Sequence, residues 1–344
     1  MESGKLYESL VYQIKSKIYR GTYSDQEALP PERQLALDFS VSRVTVRKAM
    51  ELLEKEGIVE RLQGSGNLVH LKKKGYKGSL DLIALVAPAQ NPFFATFLDY
   101  FQQNAQRYDS LVLLKQKPKQ ERLEDELFLL YQKNIRNVVI WLDDLVLDVE
   151  YVKRLRGLGM NLVFLDITID TPYADCVRTD NRDAIYRLYD YLSGQKRKVS
   201  YLGWDKDQLT SVREREQFFK EKCSDGELVH HLCWEQKNGL AEQMRSLLQE
   251  FEMGNARRPD SILCGDGEIS ILLKKVIVEQ GIDDILIAGV DDYPESVELR
   301  MSVYRQNYES LAGTVYECLR KQNKNAQKWR ANTYLVKGEL IERE

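Results

Sequence analysis

The chain has 344 residues, 43% hydrophobic and 30% charged, with a net charge of −3 at neutral pH, which gives room for two or three domains and a sizeable core. No apolar run approaches the roughly 20 residues that a membrane-spanning helix needs. The charge is uneven: residues 1–78 carry 14 Lys and Arg against 10 Asp and Glu, whereas the remainder carries 36 against 43, so a nucleic-acid footprint is expected at the N-terminal end and excluded from the acidic body.

Pro30 and Pro31 stop whatever precedes them, and Glu32 to Phe39 carries Leu35, Leu37 and Phe39 among polar residues, which predicts a short helix. Ser40, Val41 and Ser42 form a turn. Ser42 is a good N-cap, and Val46, Ala49, Met50 and Leu53 follow it at helical spacing. The opposite face carries Arg43 and Arg47, four residues apart, so both project from the first turns of the helix. That is the end a recognition helix places in the major groove, where an Arg can grip guanine O6 and N7. Thr45 reaches a phosphate or base edge from the same turn. Gly57 ends the helix, and Ile58 to Leu62 and Leu68 to Val69 read as two strands joined through Gln63, Gly64, Ser65, Gly66 and Asn67. Solvated arginines alone explain nothing specific; the ordered set of two helices, capped arginines and hairpin is a winged helix-turn-helix.

Leu6-Tyr7-Glu8, Gly21, Leu29-Pro30-Pro31-Glu32-Arg33, Ser42 to Arg47, Glu56 to Arg61 and Gly64-Ser65-Gly66 resemble the DNA-binding domain of the GntR family over residues 5–70. The resemblance implies that Arg33, Ser42, Arg43, Thr45 and Arg47 meet DNA, with Gln63 and Gly64 at the wing. Val44 stands where many relatives have a second Thr, so packing on a thymine methyl replaces a polar contact and sequence preference does not transfer.

Lys72 to Lys77 have too little apolar content to pack and predict a flexible tether over residues 72–79. Beyond it, strands are expected at Leu82–Val86, Leu111–Leu114, Val138–Leu142, Leu162–Leu165, Val199–Leu202, Ser261–Cys264 and Ile285–Val290, with helical patterns between most of them. This is the rhythm of parallel sheets covered by helices, and its length suggests two lobes. The predicted organisation is a reader at 1–71, a linker at 72–79 and an effector-binding and dimerisation domain at 80–344.

Five cysteines, Cys176, Cys223, Cys233, Cys264 and Cys318, include no CxxC pair and are read as reduced. His230, His231 and Cys233 are the one candidate metal cluster, but adjacent histidines in a strand point to opposite faces. No GxGxxG or GxxxxGKS/T loop follows a strand. Neither a metal nor a cofactor is expected. No apolar signal core follows the first charges, so the expected location is the cytoplasm, on the nucleoid, with no membrane partner.

In α/β lobes ligands sit at the carboxyl ends of strands. Asn91 to Phe94 follow the first strand, Asp166 the fourth, Trp204-Asp205 the fifth, Asp266 the sixth and Asp291 to Pro294 the seventh, and Arg215 opens a helix after the Trp204 loop. Carboxylates that accept from hydroxyl pairs, a donating Arg and aromatic faces over C–H surface are what a sugar requires. Any one of these aspartates reads equally as a loop or helix cap; their recurrence at successive strand ends argues for a shared cleft.

Residues 80–340 resemble the effector domain of the LacI/GalR regulators, relatives of type I periplasmic sugar-binding proteins. The resemblance rests on Ile83 to Val86 with Asn91 to Phe94, Val177 to Asn181, Arg213 to Arg215, Arg258 to Ile262, Gly289 to Asp292 and Val303 to Gln306. It implies an effector site of Phe93, Asp166, Arg215, Asp291 and Gln306, to which the strand ends add Trp204 and Asp266. Gly265 replaces the Asn that often precedes the strand-end Asp, and Gln195-Lys196 replaces the usual Gly-His. Together the two parts resemble the arabinose repressor group. The implied function is a dimeric, sugar-controlled repressor on a palindromic operator. An activator or corepressor-type regulator remains an alternative; a transport-type sugar-binding protein is opposed by the attached DNA reader and the lack of a signal core, and a sugar-processing enzyme is weaker still, with no paired His, metal constellation or cofactor loop.

Overall fold

A computed structural model describes residues 2–62, 66–71, 80–87, 93–116, 122–142, 147–194, 198–206, 208–223, 229–254, 258–325 and 328–343. The expected tether at 72–79 and the Gln195-Lys196 pair lie outside the described residues. No turn signal marks a helix ahead of Pro30, yet Glu2–Tyr19 form α1. Leu10, Val11, Ile14 and Ile18 recur every three or four residues and are all buried, which is the amphipathic period that packs α1 against α3.

Helices α2 (Glu32–Asp38) and α3 (Arg43–Lys55) follow, then strands β1 (Val59–Leu62) and β2 (Gly66–Val69). The two strands are antiparallel, with Val59 opposite Val69 and Leu62 opposite Gly66. Of the apolar residues expected to anchor α2, Leu35 is buried whereas Leu37 is 67% exposed. A seven-residue helix turns only one narrow stripe inward.

The remaining chain runs β3 (Leu82–Val86), α4 (Phe94–Gln106), β4 (Leu111–Lys115), α5 (Leu123–Gln132), β5 (Asn137–Ile140), α6 (Val149–Gly157), β6 (Asn161–Leu165), β7 (Asp175–Thr179) and α7 (Asn181–Gly194). It continues through β8 (Val199–Trp204), α8 (Thr210–Lys222), β9 (Val229–Leu232), α9 (Leu240–Glu252), β10 (Ser261–Cys264), α10 (Gly267–Glu279) and β11 (Leu286–Val290). The last elements are α11 (Pro294–Glu298), β12 (Ser302–Arg305), α12 (Tyr308–Lys324), β13 (Thr333–Val336) and β14 (Glu339–Ile341).

Two six-stranded sheets result, ordered β4-β3-β5-β6-β7-β13 and β9-β8-β10-β11-β12-β14. Strand β3 runs parallel to β4 and β5, and β5 to β6. In the second sheet β9, β8, β10, β11 and β12 are mutually parallel, and β14 closes one edge antiparallel to β12. Every residue of β5, β6, β8 and β10 is buried, which is why these strands read as unbroken apolar runs rather than alternating ones. The chain divides into two compact units. The first holds residues 1–165, 169–176 and 312–333; the second holds 166–168, 177–311 and 334–344.

Within the first unit, fully buried Arg156 organises a polar knot. Its Nη1 donates to Met160 O (3.2 Å), Asn161 Oδ1 (2.5 Å) and Gln322 Oε1 (2.8 Å), and the guanidinium lies 4.3 Å from the Trp329 ring. Asp175 in turn accepts from Gln322 Nε2, Trp329 Nε1 and Asn332 N. Burial pulls Arg156 down to about 10 against the pull of Asp175. These bonds tie the end of α12 and the segment after it to β6, joining parts of the chain 160 residues apart.

Candidate functional site

Ser42 caps α3 in extended backbone geometry (φ −70°, ψ 152°), its Oγ accepting from Thr45 N at 3.1 Å. The same Oγ lies 2.9 Å from Thr45 Oγ1, so these two hydroxyls are engaged with each other at the head of the helix. Val46, Ala49, Met50 and Leu53 are buried. The face left outward presents Arg43, Val44 (65% exposed) and Arg47, with Arg33 exposed on α2. Glu32, to which the sequence assigned no contact, sits 3.5 Å from Arg47 and 3.3 Å from Arg61 and so draws a recognition-helix arginine and a wing arginine toward one carboxylate. Exposed pairs of this kind steer side chains more than they stabilise. Gln63 and Gly64 lie outside the described residues.

In the second unit, the carboxyl ends of β8, β10, β11 and β12 deliver Trp204, Asp266, Asp291 and Gln306 to one edge of the sheet. Arg215, projecting from α8, is buried there. Its Nε donates to Asn181 Oδ1 (3.0 Å) and its Nη1 to Gly265 O (2.7 Å). Burial lowers the Arg215 pKa, but Asp291 and Asp166 outweigh it and the net shift is upward, so the guanidinium stays charged. Gln306 links Asp291 to Thr179: its Nε2 donates to Asp291 Oδ1 at 2.5 Å and its Oε1 accepts from the Thr179 hydroxyl. Glu214 accepts from Arg178 and, at 3.1 Å, from Asn181 Nδ2, which fixes the amide that holds Arg215.

Asp166 (φ +59°) and Asp291 (φ +79°) both adopt the left-handed region, where Asp is among the few tolerated residue types. Each is fixed by its own backbone, Asp166 N donating to Val177 O and Asp291 N to Tyr304 O, both at 2.9 Å. Burial raises the Asp291 pKa against the opposing pull of Arg215 and Gln306. Tyr308 feels burial and then the charges of Asp291 and Asp166, which push its phenol far up.

Asp266 and Trp204 are engaged with one another. Asp266 Oδ1 caps α10 by accepting from Ile269 N (2.9 Å), and Oδ2 accepts from the Trp204 indole. The carboxylate read as a sugar acceptor thus also holds the helix and the buried indole. Gly265 has a local reason: a Cβ there would come within 2.5 Å of the Tyr201 hydroxyl, so the phenol from β8 fills the space an Asn side chain would need. Gly267 likewise admits Tyr293, whose ring a Cβ would meet at 2.3 Å. Phe93 belongs to the first unit, at the head of α4, and Asn91-Pro92 lie outside the described residues. The structure therefore gathers Asp166, Arg215, Asp291 and Gln306 with Thr179, Asn181 and Tyr308, which the sequence did not mark as site residues. The signal for Thr179 and Asn181 was the turn into α7, where Thr179-Asp180-Asn181 sit at a strand end.

At β9, His231 Nε2 lies 2.8 Å from Glu216 Oε2 and His230 packs edge-on against Phe251. Among the described residues no group of three or more His, Cys, Asp or Glu side chains could hold a metal. No helix among them is long and apolar enough to cross a membrane.

Residues 6–69 match the profile of the bacterial regulatory proteins of the gntR family, and residues 79–295 that of the periplasmic binding proteins and sugar binding domain of the LacI family. The arabinose metabolism transcriptional repressor of Geobacillus stearothermophilus is 24% identical, aligning over 98% of this chain and 96% of its own. The mannosyl-D-glycerate transport/metabolism system repressor of Escherichia coli is 41% identical across 21% of this chain and 30% of its own. Among solved structures, a CelR–cellobiose complex superposes with a TM-score of 0.63 at 16% identity, covering 92% of this chain and 99% of that one. The lac repressor dimer bound to operator and an anti-inducer gives 0.62 at 17% identity, covering 78% and 94%.

Proposed function

Because the chain belongs to the family of periplasmic binding proteins and LacI-type sugar-binding domains, and carries a gntR-type winged helix ahead of it, we propose that it is a DNA-binding transcriptional repressor released by a sugar. One observation carries this reading: a charged Arg215 held among Asp166, Asp291 and Gln306 at the ends of parallel strands, in a chain whose capped α3 turns Arg43 and Arg47 outward. Residues 1–71 form the reader, 72–79 the linker and 80–344 the effector-binding and dimerisation domain. Arg33, Ser42, Arg43, Thr45 and Arg47, with Gln63 and Gly64 at the wing, contact DNA. Asp166, Arg215, Asp291 and Gln306 bind the effector with Phe93, over a wall built by Trp204 and Asp266.

Two carboxylates around one guanidinium leave this half of the site with negative charge. That favours a neutral polyol, whose hydroxyls donate to Asp166 and Asp291 and accept from Arg215, over a uronate or a sugar phosphate. L-arabinose is the first probe because a relative aligned along the whole chain is named for arabinose metabolism. Effector binding favours one arrangement of a symmetric dimer and so changes the fit of two readers to two half-sites. The protein acts in the cytoplasm, on DNA, as a binder rather than a catalyst, its two aspartates turned to one guanidinium.

A thermal-shift screen of pentoses, hexoses, disaccharides and sugar phosphates tests the pocket, since a ligand of the folded state raises Tm. A shift with a neutral sugar that is lost in Asp291→Ala supports the reading. No salt-sensitive footprint on the protein's own promoter region would remove the repressor.

A further inference from the structure

The first unit contains both the winged helix and strands β3 to β6 with helices α4 to α6, and the two are joined by a specific surface. Helix α1 meets α5 from Tyr12, opposite Gln132, to its last residue, Tyr19, opposite Glu124 and Phe128. The Tyr19 ring, fully buried, stacks on Phe128 at 4.5 Å with only 5° between planes and meets Tyr151 of α6 edge-on at 5.5 Å. Its hydroxyl donates to Glu124 O in the first turn of α5. Farther along, Gln132 Nε2 donates to the Tyr12 hydroxyl, and Lys15 reaches both Glu56 at 2.5 Å and the Tyr131 ring at 5.6 Å. Two glycines make the approach possible. Gly21 (φ +80°) would place a Cβ 2.9 Å from the Arg154 guanidinium, which also donates to Tyr19 O, and Gly157 of α6 would place one 2.7 Å from Leu71 Cβ.

We infer that α1 is the coupling surface of the molecule: the reader is docked on α5 and α6 through Tyr12, Tyr19, Phe128 and Tyr151 and moves with that lobe as one body. The docking leaves the recognition face open, with Val44 and Arg47 exposed, so it orients the reader rather than blocking it. Glu124 opens α5 on the carboxyl-end side of β4, the side where open parallel sheets bind ligands. A shift of the first turn of α5 is therefore applied directly to the Tyr19 hydroxyl. Tyr19 and Phe128 are positioning residues that convert a change in the lobe into a change in the reader's aim, a conversion a slack tether could not perform. The regulatory half of this inference rests on the sugar-controlled repressor proposed above; the docking half does not.

Nitrogen-15 relaxation on the full deuterated chain reads the docking, and operator affinity with and without L-arabinose reads the coupling. In the parent, reader and lobe amides share one rotational correlation time. In Phe128→Ala/Tyr151→Ala, whose substitutions lie outside the winged helix, the reader's correlation time falls at least twofold below the lobe's. Its response of operator affinity to sugar shrinks at least tenfold, while the sugar-induced thermal shift persists. Tyr19→Phe, which keeps the stack and loses the Glu124 bond, retains shared tumbling with a weakened response. A parent reader that already tumbles faster than its lobe overturns the inference, as does a double variant that tumbles apart yet responds fully. A parent whose operator binding ignores every sugar removes the repressor reading alone, and the tumbling comparison still decides the docking.

Discussion

Replacing Asp266 by Ser separates the two tasks of a carboxylate that the sequence marks as a sugar acceptor and the structure uses as a brace. Oδ1 caps α10 through Ile269 N, and Oδ2 takes the Trp204 indole proton in a site where Trp204 is 3% exposed. Ser keeps an acceptor for the cap, because its short hydroxyl is among the favoured N-cap groups. It cannot also reach the indole, so a buried N–H to a charged partner is lost, at a cost of about 1.5–3 kcal/mol. Asp266→Ala removes the cap as well and adds about 1 kcal/mol. Urea unfolding followed by tryptophan fluorescence, restricted to the transition that reports Trp204, measures both steps. The expected order of stability is parent, then Ser, then Ala, with effector affinity in the Ser variant within a few-fold of the parent once folded protein is compared. A Ser variant as stable as the parent but unable to bind sugar would refute the brace and return the carboxylate to the ligand.

Gly265→Asn should be destabilising on its own, because Tyr201 occupies the side-chain space, and rescued in part by Tyr201→Ala; a double-mutant cycle on unfolding free energies should return a coupling of about 0.5–3 kcal/mol. Arg47→Ala should cost about 1–3 kcal/mol in operator binding and relax preference at one base position, whereas Arg33→Ala should weaken all sequences alike and lower the salt slope by about one; competition footprinting across salt concentrations distinguishes them. Asp183 is pushed up by burial but pulled further down by the Tyr304 hydroxyl, Lys337 and Arg187, so its pKa lies below 3.8. Its stabilisation is therefore complete above the ordinary carboxylate range and is lost as pH falls through the folded value; the stability deficit of Asp183→Asn should be constant from pH 7 to about 5 and shrink below about 4, as denaturation at fixed pH will report.

The sheets were legible because buried parallel strands leave a one-dimensional mark. Ser261–Cys264 and Leu82–Val86 are β10 and β3 to the residue, since each is an apolar run with no alternative period. Strands β12, β13 and β14 leave no such mark. Ser302–Arg305 is short and mixed, and β13 and β14 are exposed or half-buried throughout at sheet edges, so only pairing with strands elsewhere in the chain makes them strands. The site divides along the same line. Arg215, Asp291 and Gln306 are chemically conspicuous at strand ends, but Thr179 and Asn181 acquire meaning only when they meet Gln306 and the Glu214 and Arg215 side chains of α8, a tertiary event no local pattern encodes. Helix α1 is the instructive omission. Leu10, Val11, Ile14 and Ile18 satisfy a helical period, yet one helix face accounts for them and leaves Tyr12 and Tyr19 unexplained. Their partners, Gln132, Phe128 and Tyr151, lie more than a hundred residues away. A sequence therefore reveals an address helix and a sensing lobe separately, because each is held by its own periodicity, while the surface that makes one answer to the other is written in pairs that periodicity cannot see.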